Sequence, residues 1–225
     1  MIRARAALVH TRTTLIGTAR GLAKSNGERL RGSSRRMTNA EVGTDLSPAL
    51  RAALAPLPVS VKALSARIRE YDMRIEELGR DRYPEVALLT QVHGVGPLIA
   101  LTYILTLEDP HRFAKSRDAG CYVGLQPRRR NSGQSRPQLR ISKQGDPYLR
   151  ALLINSAQHM LGPFGVDSDL HRWGLELAFR GARAGKKRAI VAVARKMVVP
   201  LHRLWVSGET YEPLHRHQAI MLPAA

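Results

Sequence analysis

The sequence predicts a mainly α-helical protein, in which a helical N-terminal and coiled-coil-like segment precedes a compact helical domain. Apolar residues recur every three or four positions along most of the chain, which is the spacing of one face of an α-helix. A strict heptad pattern runs through residues 57–78. Only QLRIS, residues 138–142, hints at a strand. We therefore divide the chain into an N-terminal helix and linker, a coiled-coil-like helical segment, a C-terminal domain and a tail, at residues 1–45, 46–82, 83–212 and 213–225.

The charge of the chain indicates a polyanionic partner. Its 225 residues contain 36 Lys and Arg against 18 Asp and Glu, which gives a formal net charge of +18 and a pI of about 11.2. A chain this basic repels itself unless a polyanion neutralises it, and nucleic acid is the usual one. Ribosomal binding and membrane-surface binding are the alternatives. Because 44% of the residues are hydrophobic, the chain is able to form a folded core.

Cysteine content and apolar run length limit the class of protein further. Cys121 is the only cysteine, so neither an internal disulfide nor a cysteine-based zinc site is possible, which fits a reducing cytoplasm. The longest apolar run, residues 98–107, is about half as long as a bilayer span. We therefore predict a core helix there, and no membrane partner.

The first two predicted elements are an amphipathic helix and a heptad helix. Residues 2–25 carry apolar side chains at helical spacing, with arginines between them, and a Gly- and Ser-rich linker follows. The heptad seam consists of apolar residues spaced alternately four and three apart, and Pro56 and Pro58 fit a helix start. Such a seam forms a coiled coil or an antiparallel helical hairpin, or packs as an ordinary helix on its own domain. Its residues are Leu57, Val61, Leu64, Ile68, Tyr71, Ile75 and Leu78.

Two apolar helical segments joined by HGVGP follow at residues 82–109. A Gly-x-Gly turn between two helices predicts a helix-hairpin-helix, in which the backbone amides of Gly94 and Gly96 and the next helix N-terminus face a phosphate. A tight turn without any ligand is the alternative. Further helices are predicted at 116–127, from Pro147 with Asp146 as N-cap, at 167–185 and at 186–209.

The segment RRRNSGQSRPQLRISKQGDPYLR, residues 128–150, carries seven Arg and Lys residues and a single acidic residue, Asp146. Guanidinium groups neutralise phosphate oxygens and the charge that develops during attack on a phosphodiester, so Ser132 among them is a candidate nucleophile. The adjacent Gly133 allows close approach of a sugar-phosphate. The composition alone favours a loop that only grips phosphates. Its candidate phosphate contacts are Arg128, Arg129, Arg130, Arg136, Arg140 and Lys143, and Lys186, Lys187 and Arg188 form a second basic patch.

The sequence offers no clear set of metal ligands. The histidines are scattered, and His215 and His217 in the tail lack further ligands. Asp167 and Asp169 are better explained as a helix cap than as a two-metal centre. We predict no metal site in this chain.

From about residue 89 to 212 the chain resembles the C-terminal domain of the insertion sequence 110 family of transposases, relatives of Piv-type site-specific invertases. The resemblance is carried by GVG at residues 94–96, AGCYVGLQP at 119–127, NSG at 131–133, ISKQGDPYLR at 141–150 and the late helix KKRAIVAVARKMVVPLHRLW. Residues 1–80 resemble the family's region that leads into and through its coiled-coil segment.

The resemblance implies an enzyme of DNA recombination. Family members join an N-terminal RuvC-like domain, whose acidic residues hold Mg²⁺, to a C-terminal domain with a nucleophilic serine, and that serine matches Ser132. The implied reaction is transesterification through a covalent serine–DNA link. A structured non-coding RNA is implied to select the DNA, and the enzymes act as oligomers. The expected partners are thus DNA, RNA and further copies of the chain through the heptad helix, at the nucleoid in the bacterial cytoplasm.

One part of the family pattern has no match in the sequence. Before the heptad segment the acidic residues are only Glu28, Glu41 and Asp45, and none lies in a strand-like context. We therefore expect the RuvC-like metal domain to be absent here, with Mg²⁺ bound outside this chain. The alternative to a recombinase portion is a truncated, non-catalytic nucleic-acid-binding remnant or regulator.

Overall fold

A computed structural model of the chain describes residues 1–30, 46–128, 130, 132, 139–181 and 184–215. The structure is about 71% helical and contains no strand in those residues, which confirms the mainly α fold. It divides into two compact units, Met1–Glu77 and Leu78–Ala225. No helix in the described ranges is long and apolar enough to cross a membrane.

The first unit contains α1 (Ile2–Ser25), α2 (Pro48–Leu54) and most of α3 (Pro56–Arg82). The bounds of α1 and the start of α3 at Pro56 are those that periodicity and proline placement predict. The short helix α2 was not predicted. Its Leu50 and Leu54 pack with Ala23 of α1 in one small core cluster, which gives this seven-residue helix the tertiary support that its length requires.

Helices α1 and α3 run antiparallel and contact each other along their length. The guanidinium Nε of Arg5 lies 2.8 Å from the Asp72 carboxylate, and Arg12 donates to the Ser65 hydroxyl at 3.4 Å. Further along α1, Ile16 and Ala19 form a buried cluster with Val61. As the residue number rises on α1 it falls on α3, so the heptad helix forms an antiparallel hairpin with α1 inside its own unit.

The heptad seam of α3 is buried unevenly. Val61, Ile68 and Ile75, each seven residues apart, are at most 4% exposed. The alternate row of Leu57, Leu64, Tyr71 and Leu78 is only half-buried. On α1, Leu22 is 46% exposed, whereas the adjacent Ala23 is buried in the core cluster with α2. The row of Val61, Ile68 and Ile75 is thus buried in the core, and the other row leaves part of its apolar surface accessible to solvent.

The second unit is organised around its last helix. It contains α4 (Glu85–Leu89), α5 (Pro97–Leu107), a short 3-10 turn (Pro110–Arg112), α6 (Ser116–Tyr122), α7 (Pro147–Met160), α8 (Asp169–Arg180) and α9 (Gly185–Ser207). Helix α9 contacts α4, α6, α7, α8 and the 3-10 turn. Its inner face includes the fully buried Val193, Met197 and Leu201. Tyr103 of α5 is buried against α9, where its hydroxyl donates to the Val198 carbonyl at 3.3 Å, and burial raises the pKa of this phenol.

The helix ends follow local side-chain chemistry. Asp146 caps α7, as predicted, because its carboxylate accepts from the Leu149 amide at 2.7 Å. The cap of α8 is Ser168, which accepts from the His171 amide at 3.1 Å. Asp167 was predicted as part of this cap, but its carboxylate instead pairs with the Arg172 guanidinium, with Nε and Oδ1 2.7 Å apart.

Candidate nucleic-acid interface

The two ends of the basic segment, one after α6 and the other before α7, pair with each other as a short antiparallel ribbon. Pro127 and Ile141 form an isolated β-bridge. The Arg128 amide donates to the Arg140 carbonyl at 2.9 Å, and the Ser142 amide donates to the Gln126 carbonyl at 2.8 Å. The hint of a strand in QLRIS therefore corresponds to this single bridge among the described residues. The ribbon holds both ends of the segment that carries Ser132.

Two glycines fix the base of the ribbon. Gly124 and Gly145 have φ angles of +76° and +74°, a region that side chains with a Cβ rarely adopt. A Cβ on Gly124 would lie 1.8 Å from the Gln144 carbonyl oxygen, and one on Gly145 would lie 2.0 Å from that of Tyr122. The two backbone segments therefore cross at a distance that only glycine permits.

Arg150 holds the same crossing together from α7. Its Nη1 donates to the Val123 carbonyl at 3.0 Å and to the Gln144 carbonyl at 2.9 Å, so one guanidinium joins the two sides of the base. The basic segment that contains Arg150 was predicted to bind phosphates, but Arg150 itself was not named among the contacts. The structure gives this particular arginine an internal partner on each side of the loop.

A cationic cleft of about 930 Å³ lies beside the ribbon, within the second unit. Arginine and lysine reach it from α6, from the ribbon, and from α8 and α9. No acidic residue is among the residues described as lining it. A concave site lined by positive charges favours the binding of a polyanion. The cations from α6 and the ribbon are Arg117, Arg140 and Lys143. Those from α8 and α9 are Arg180, Lys187, Arg188, Arg195 and Lys196.

Apolar side chains also line this cationic cleft. Helix α8 contributes Trp173 and Leu177, and α9 contributes Val191 and Val199. The ammonium of Lys196 lies 4.0 Å from the centre of the Trp173 ring, a cation–π contact within the cleft. From the ribbon side come Leu125, Leu139 and Ile141. The cleft thus combines a row of cations with a half-buried aromatic ring and aliphatic side chains.

A second cavity adjoins the cleft on the ribbon side. Arg140 and Arg195 line both cavities, and Arg128 and Arg130 line the second one alone. Ser142 also lines this arginine cavity, and its buried hydroxyl oxygen has no hydrogen-bond partner in the described structure. A buried hydroxyl without a partner among four guanidinium groups is suited to an anion such as a phosphate.

The structure brings the two predicted basic patches together. Residues of the 128–143 segment and of the start of α9 line one cleft although about 45 residues separate them in sequence. Ser132 is exposed. Lys186 is exposed as well, but it is not among the residues described as lining the cleft, unlike its neighbour Lys187. Three further predicted contacts, Arg129, Gly133 and Arg136, lie outside the described residues.

Sequence reasoning missed four of the eight cations that line the cleft, and its tryptophan. Arg117, Trp173, Arg180, Arg195 and Lys196 were not predicted as site residues. A helical projection of the last helix contains a signal for two of them. Residues 187–188, 191–192, 195–196 and 199 all line the cleft and recur at intervals of three and four, so they form one face of α9.

The predicted glycine turn lies elsewhere in the second unit. Gly94 has a φ of +82°, and its carbonyl accepts from the Ser156 hydroxyl of α7 at 2.6 Å. Gly96 is the N-cap of α5, and a Cβ there would meet no atom within 4 Å. Neither glycine is among the described cleft-lining residues. The helix-hairpin-helix therefore stays a prediction, with a helix of only five residues, α4, before the turn.

The known proteins that this chain resembles are transposases. A helical chain with a cationic cleft of this kind defines a polyanion-binding class of protein. Residues 86–165 match the sequence model described as Transposase IS116/IS110/IS902 family. This match contains α7, the predicted glycine turn and the basic segment with Ser132.

Curated relatives extend the similarity over nearly the whole chain. The transposase for insertion sequence element IS1111A of Coxiella burnetii is 29% identical over 217 residues, 94% of this chain and 59% of that protein. A probable family 20 transposase of Pseudomonas aeruginosa is 29% identical over 86% of this chain and 58% of that protein. The transposase for IS1328 of Yersinia enterocolitica is 32% identical over 51% of this chain and 34% of that protein. This chain thus spans about three fifths of the length of the first two relatives. These findings show that the chain is similar to transposases of the IS116/IS110/IS902 family.

Proposed function

We propose that this chain is the DNA-binding portion of a transposase that exchanges DNA strands by serine transesterification. The observation that carries the proposal is the cationic cleft, which eight Arg and Lys residues line without an acidic residue among the described lining. The family of the chain and the transposase names of its relatives support DNA as the polyanion. A DNA substrate would place the protein at the nucleoid of a bacterial cytoplasm.

Ser132 is the proposed nucleophile. Its Oγ attacks a DNA phosphorus, an Oγ–P bond forms, and the bond from phosphorus to one bridging sugar oxygen breaks. The serine hydroxyl proton is transferred overall to the departing sugar oxygen, which leaves as an alcohol. The exposed position of Ser132 and its closeness in sequence to Arg128 and Arg130, which line the arginine cavity, support this role, because guanidinium groups stabilise the charge that develops on phosphate oxygens.

The Mg²⁺ of the family does not fit the residues described here. The described ranges contain no group of three or more His, Cys, Asp or Glu residues that could hold a metal ion. Within the same ranges, the Asp167 carboxylate faces Arg172, and His215 pairs with Glu212. We therefore assign Mg²⁺ to none of the described residues and derive no step through it.

The salt dependence of DNA binding tests the cleft. Lys187→Gln removes a cation that lines the cleft, whereas Lys186→Gln removes its exposed neighbour, so the two variants have the same change in net charge. Each ion pair with a phosphate that a substitution removes flattens the slope of log K against log salt by about 0.9. We expect this change for Lys187→Gln and an unchanged slope for Lys186→Gln in fluorescence anisotropy with a labelled duplex. Equal slopes in both variants would remove the cleft from the binding surface.

Serine chemistry is tested in a chimera, because this chain covers 59% of the IS1111A transposase. The chain replaces the matching part of that transposase, and transposition is measured in bacteria together with SDS-resistant protein–DNA adducts. Ser132→Ala should abolish both signals, while Ser135→Ala, a change of the same kind three residues further on, should retain them. Adducts that persist in Ser132→Ala would exclude this serine as nucleophile.

A non-catalytic nucleic-acid-binding protein is the second candidate. It is favoured by the lack of a metal-binding group among the described residues. In this case Ser132→Ala binds DNA and regulates as the unchanged chain does, and the cleft variants still lose affinity. The Ser132 chimera therefore separates the two candidates, and the Lys187 variant tests their shared part.

The resemblance further supports an RNA partner and self-association, and we propose both. Structured RNA would guide DNA selection, and a labelled transcript of the locus should bind with a Kd at least as low as that for DNA. Self-association would use the half-buried row of the heptad helix, where Leu64 retains exposed surface. Leu64→Glu should reduce the mass measured by analytical ultracentrifugation, whereas Lys62→Glu on the exposed side should not.

A further inference from the structure

We propose that the cationic cleft holds unpaired DNA nucleotides, with Trp173 as a stacking platform for a base. This inference rests on the proposed function and deepens it, since it specifies which form of DNA enters the cleft. The observation behind it is the half-buried apolar lining of an otherwise cationic site: Trp173 and Leu177 from α8 and Val191 from α9 lie among eight cations.

Duplex DNA would leave this apolar lining unused. Its base faces are stacked inside the helix, and it presents phosphates, sugars and base edges to a protein. An unpaired strand presents base faces as well as phosphates. Grooves that bind single strands combine a cationic path for the backbone with aromatic side chains on which bases stack. The cleft described here has both components within one concavity of about 930 Å³.

The contact of Trp173 with Lys196 fits such a platform. The lysine ammonium lies 4.0 Å from the ring centre, so the ring face is covered by a long, flexible side chain instead of a packed core residue. A base takes the place of the ammonium on the ring, and Lys196 turns to the neighbouring phosphate. The exchange keeps a π contact on the indole and adds an ion pair, so neither group is left without a partner.

The arginine cavity continues the path of the strand. Arg140 and Arg195 line both this cavity and the cleft. Ser142 lines the same cavity, and its buried hydroxyl has no hydrogen-bond partner in the described structure. A rotation about its Cα–Cβ bond would turn this hydroxyl to donate to a phosphate oxygen of the same strand. Bases therefore lie against the apolar lining, and the backbone lies along the arginines toward the ribbon that carries Ser132.

The test uses the full chain with the indole of Trp173 as a probe. The protein has two tryptophans, and Trp205→Phe leaves Trp173 as the only one. In this background a dT12 oligonucleotide should quench the fluorescence, and a 12-base-pair duplex should not. Trp173→Ala should weaken dT12 binding by about 5- to 150-fold, the effect of losing one base–aromatic stack, while changing duplex affinity by less than about 2-fold. Trp173→Phe, which keeps a ring, should retain most of the affinity for dT12.

Phe179 provides the matched control. It lies on the same helix, is 93% exposed, and is not among the described lining residues, so Phe179→Ala should leave dT12 binding unchanged. The inference is overturned if Trp173→Ala weakens duplex and dT12 binding equally, or if Phe179→Ala has the effect of Trp173→Ala. Tighter binding of rU12 than of dT12 would overturn the assignment to DNA. Loss of the proposed function has a different signature, since the chain would then bind neither form of DNA and Lys187→Gln would change nothing.

Discussion

Replacing Gly124 by alanine should destabilise the second unit far more than the same replacement at Gly208. Both glycines have a positive φ, +76° and +69°. They differ in their surroundings, because a Cβ on Gly124 would lie 1.8 Å from the Gln144 carbonyl oxygen, whereas one on Gly208 would meet no atom within 4 Å. Gly208→Ala therefore measures the conformational cost alone, and Gly124→Ala adds the cost of separating two backbone segments.

The conformational cost of a left-handed alanine is about 1–2 kcal/mol at either position. The steric cost at Gly124 follows from what must open to admit a methyl group. Three backbone hydrogen bonds close the ribbon: the Lys143 amide to the Gly124 carbonyl, the Ser142 amide to the Gln126 carbonyl, and the Arg128 amide to the Arg140 carbonyl. At a net value of about 1 kcal/mol each, their loss adds about 3 kcal/mol. We thus expect about 4–5 kcal/mol for Gly124→Ala and about 1–2 kcal/mol for Gly208→Ala.

Urea denaturation followed by tryptophan fluorescence measures both values, because Trp173 and Trp205 both lie in the second unit. With an m-value of about 2 kcal/mol per M, the midpoint should fall by about 2 M for Gly124→Ala and by less than about 1 M for Gly208→Ala. Equal midpoints for the two variants would refute the reasoning, because they would show that the crossing at Gly124 accommodates a methyl group without opening the ribbon.

Three further substitutions test other supports of the second unit by urea denaturation. Asp146→Ala should lower the free energy of unfolding by about 1 kcal/mol through loss of the α7 cap, and Asp146→Asn, which can still accept the amide hydrogen, should lower it less. Arg150→Met should cost about 1.5–3 kcal/mol, and Arg150→Lys less, because a single nitrogen makes both of the bonds to the loop base. Ser156→Ala should cost about 1 kcal/mol by removing the 2.6 Å bond to the Gly94 carbonyl, and an unchanged midpoint would show that this bond has no net value.

Local signals in the sequence predicted most of the helices. Apolar spacing and proline placement gave the bounds of α1 and the start of α3, and Asp146 followed by Pro147 gave the start of α7. These features depend only on residues that are close in sequence, so they can be recognised before the fold is known. By contrast, α2 has only seven residues, too few to show periodicity, and it depends on packing against α1.

Only the part of the site that lies in one continuous segment could be predicted from the sequence. The cations at 128–143 are dense in sequence, whereas Arg117, Trp173 and Arg195 come from three separate helices and meet only when α6, α8 and α9 pack together. The charge of a residue in this segment does not by itself reveal its role. Arg150 belongs to the same basic segment as Arg128, yet it bonds two carbonyls inside the protein, a role that requires the crossing of the loop base to be known.

The loop base and the cleft share residues, and this sharing connects stability to chemistry. Pro127 and Leu139 of the ribbon line both cavities, as does Arg140, so the same few residues close the loop and shape the proposed DNA-binding surface. Opening the base therefore displaces cations from the cleft before the unit unfolds. We expect Gly124→Ala to weaken DNA binding at urea concentrations where the unit remains folded, and Gly208→Ala to leave it unchanged. If both variants bound DNA as the unchanged chain does, the ribbon would position Ser132 independently of the cleft, and the two parts of the site would not be coupled.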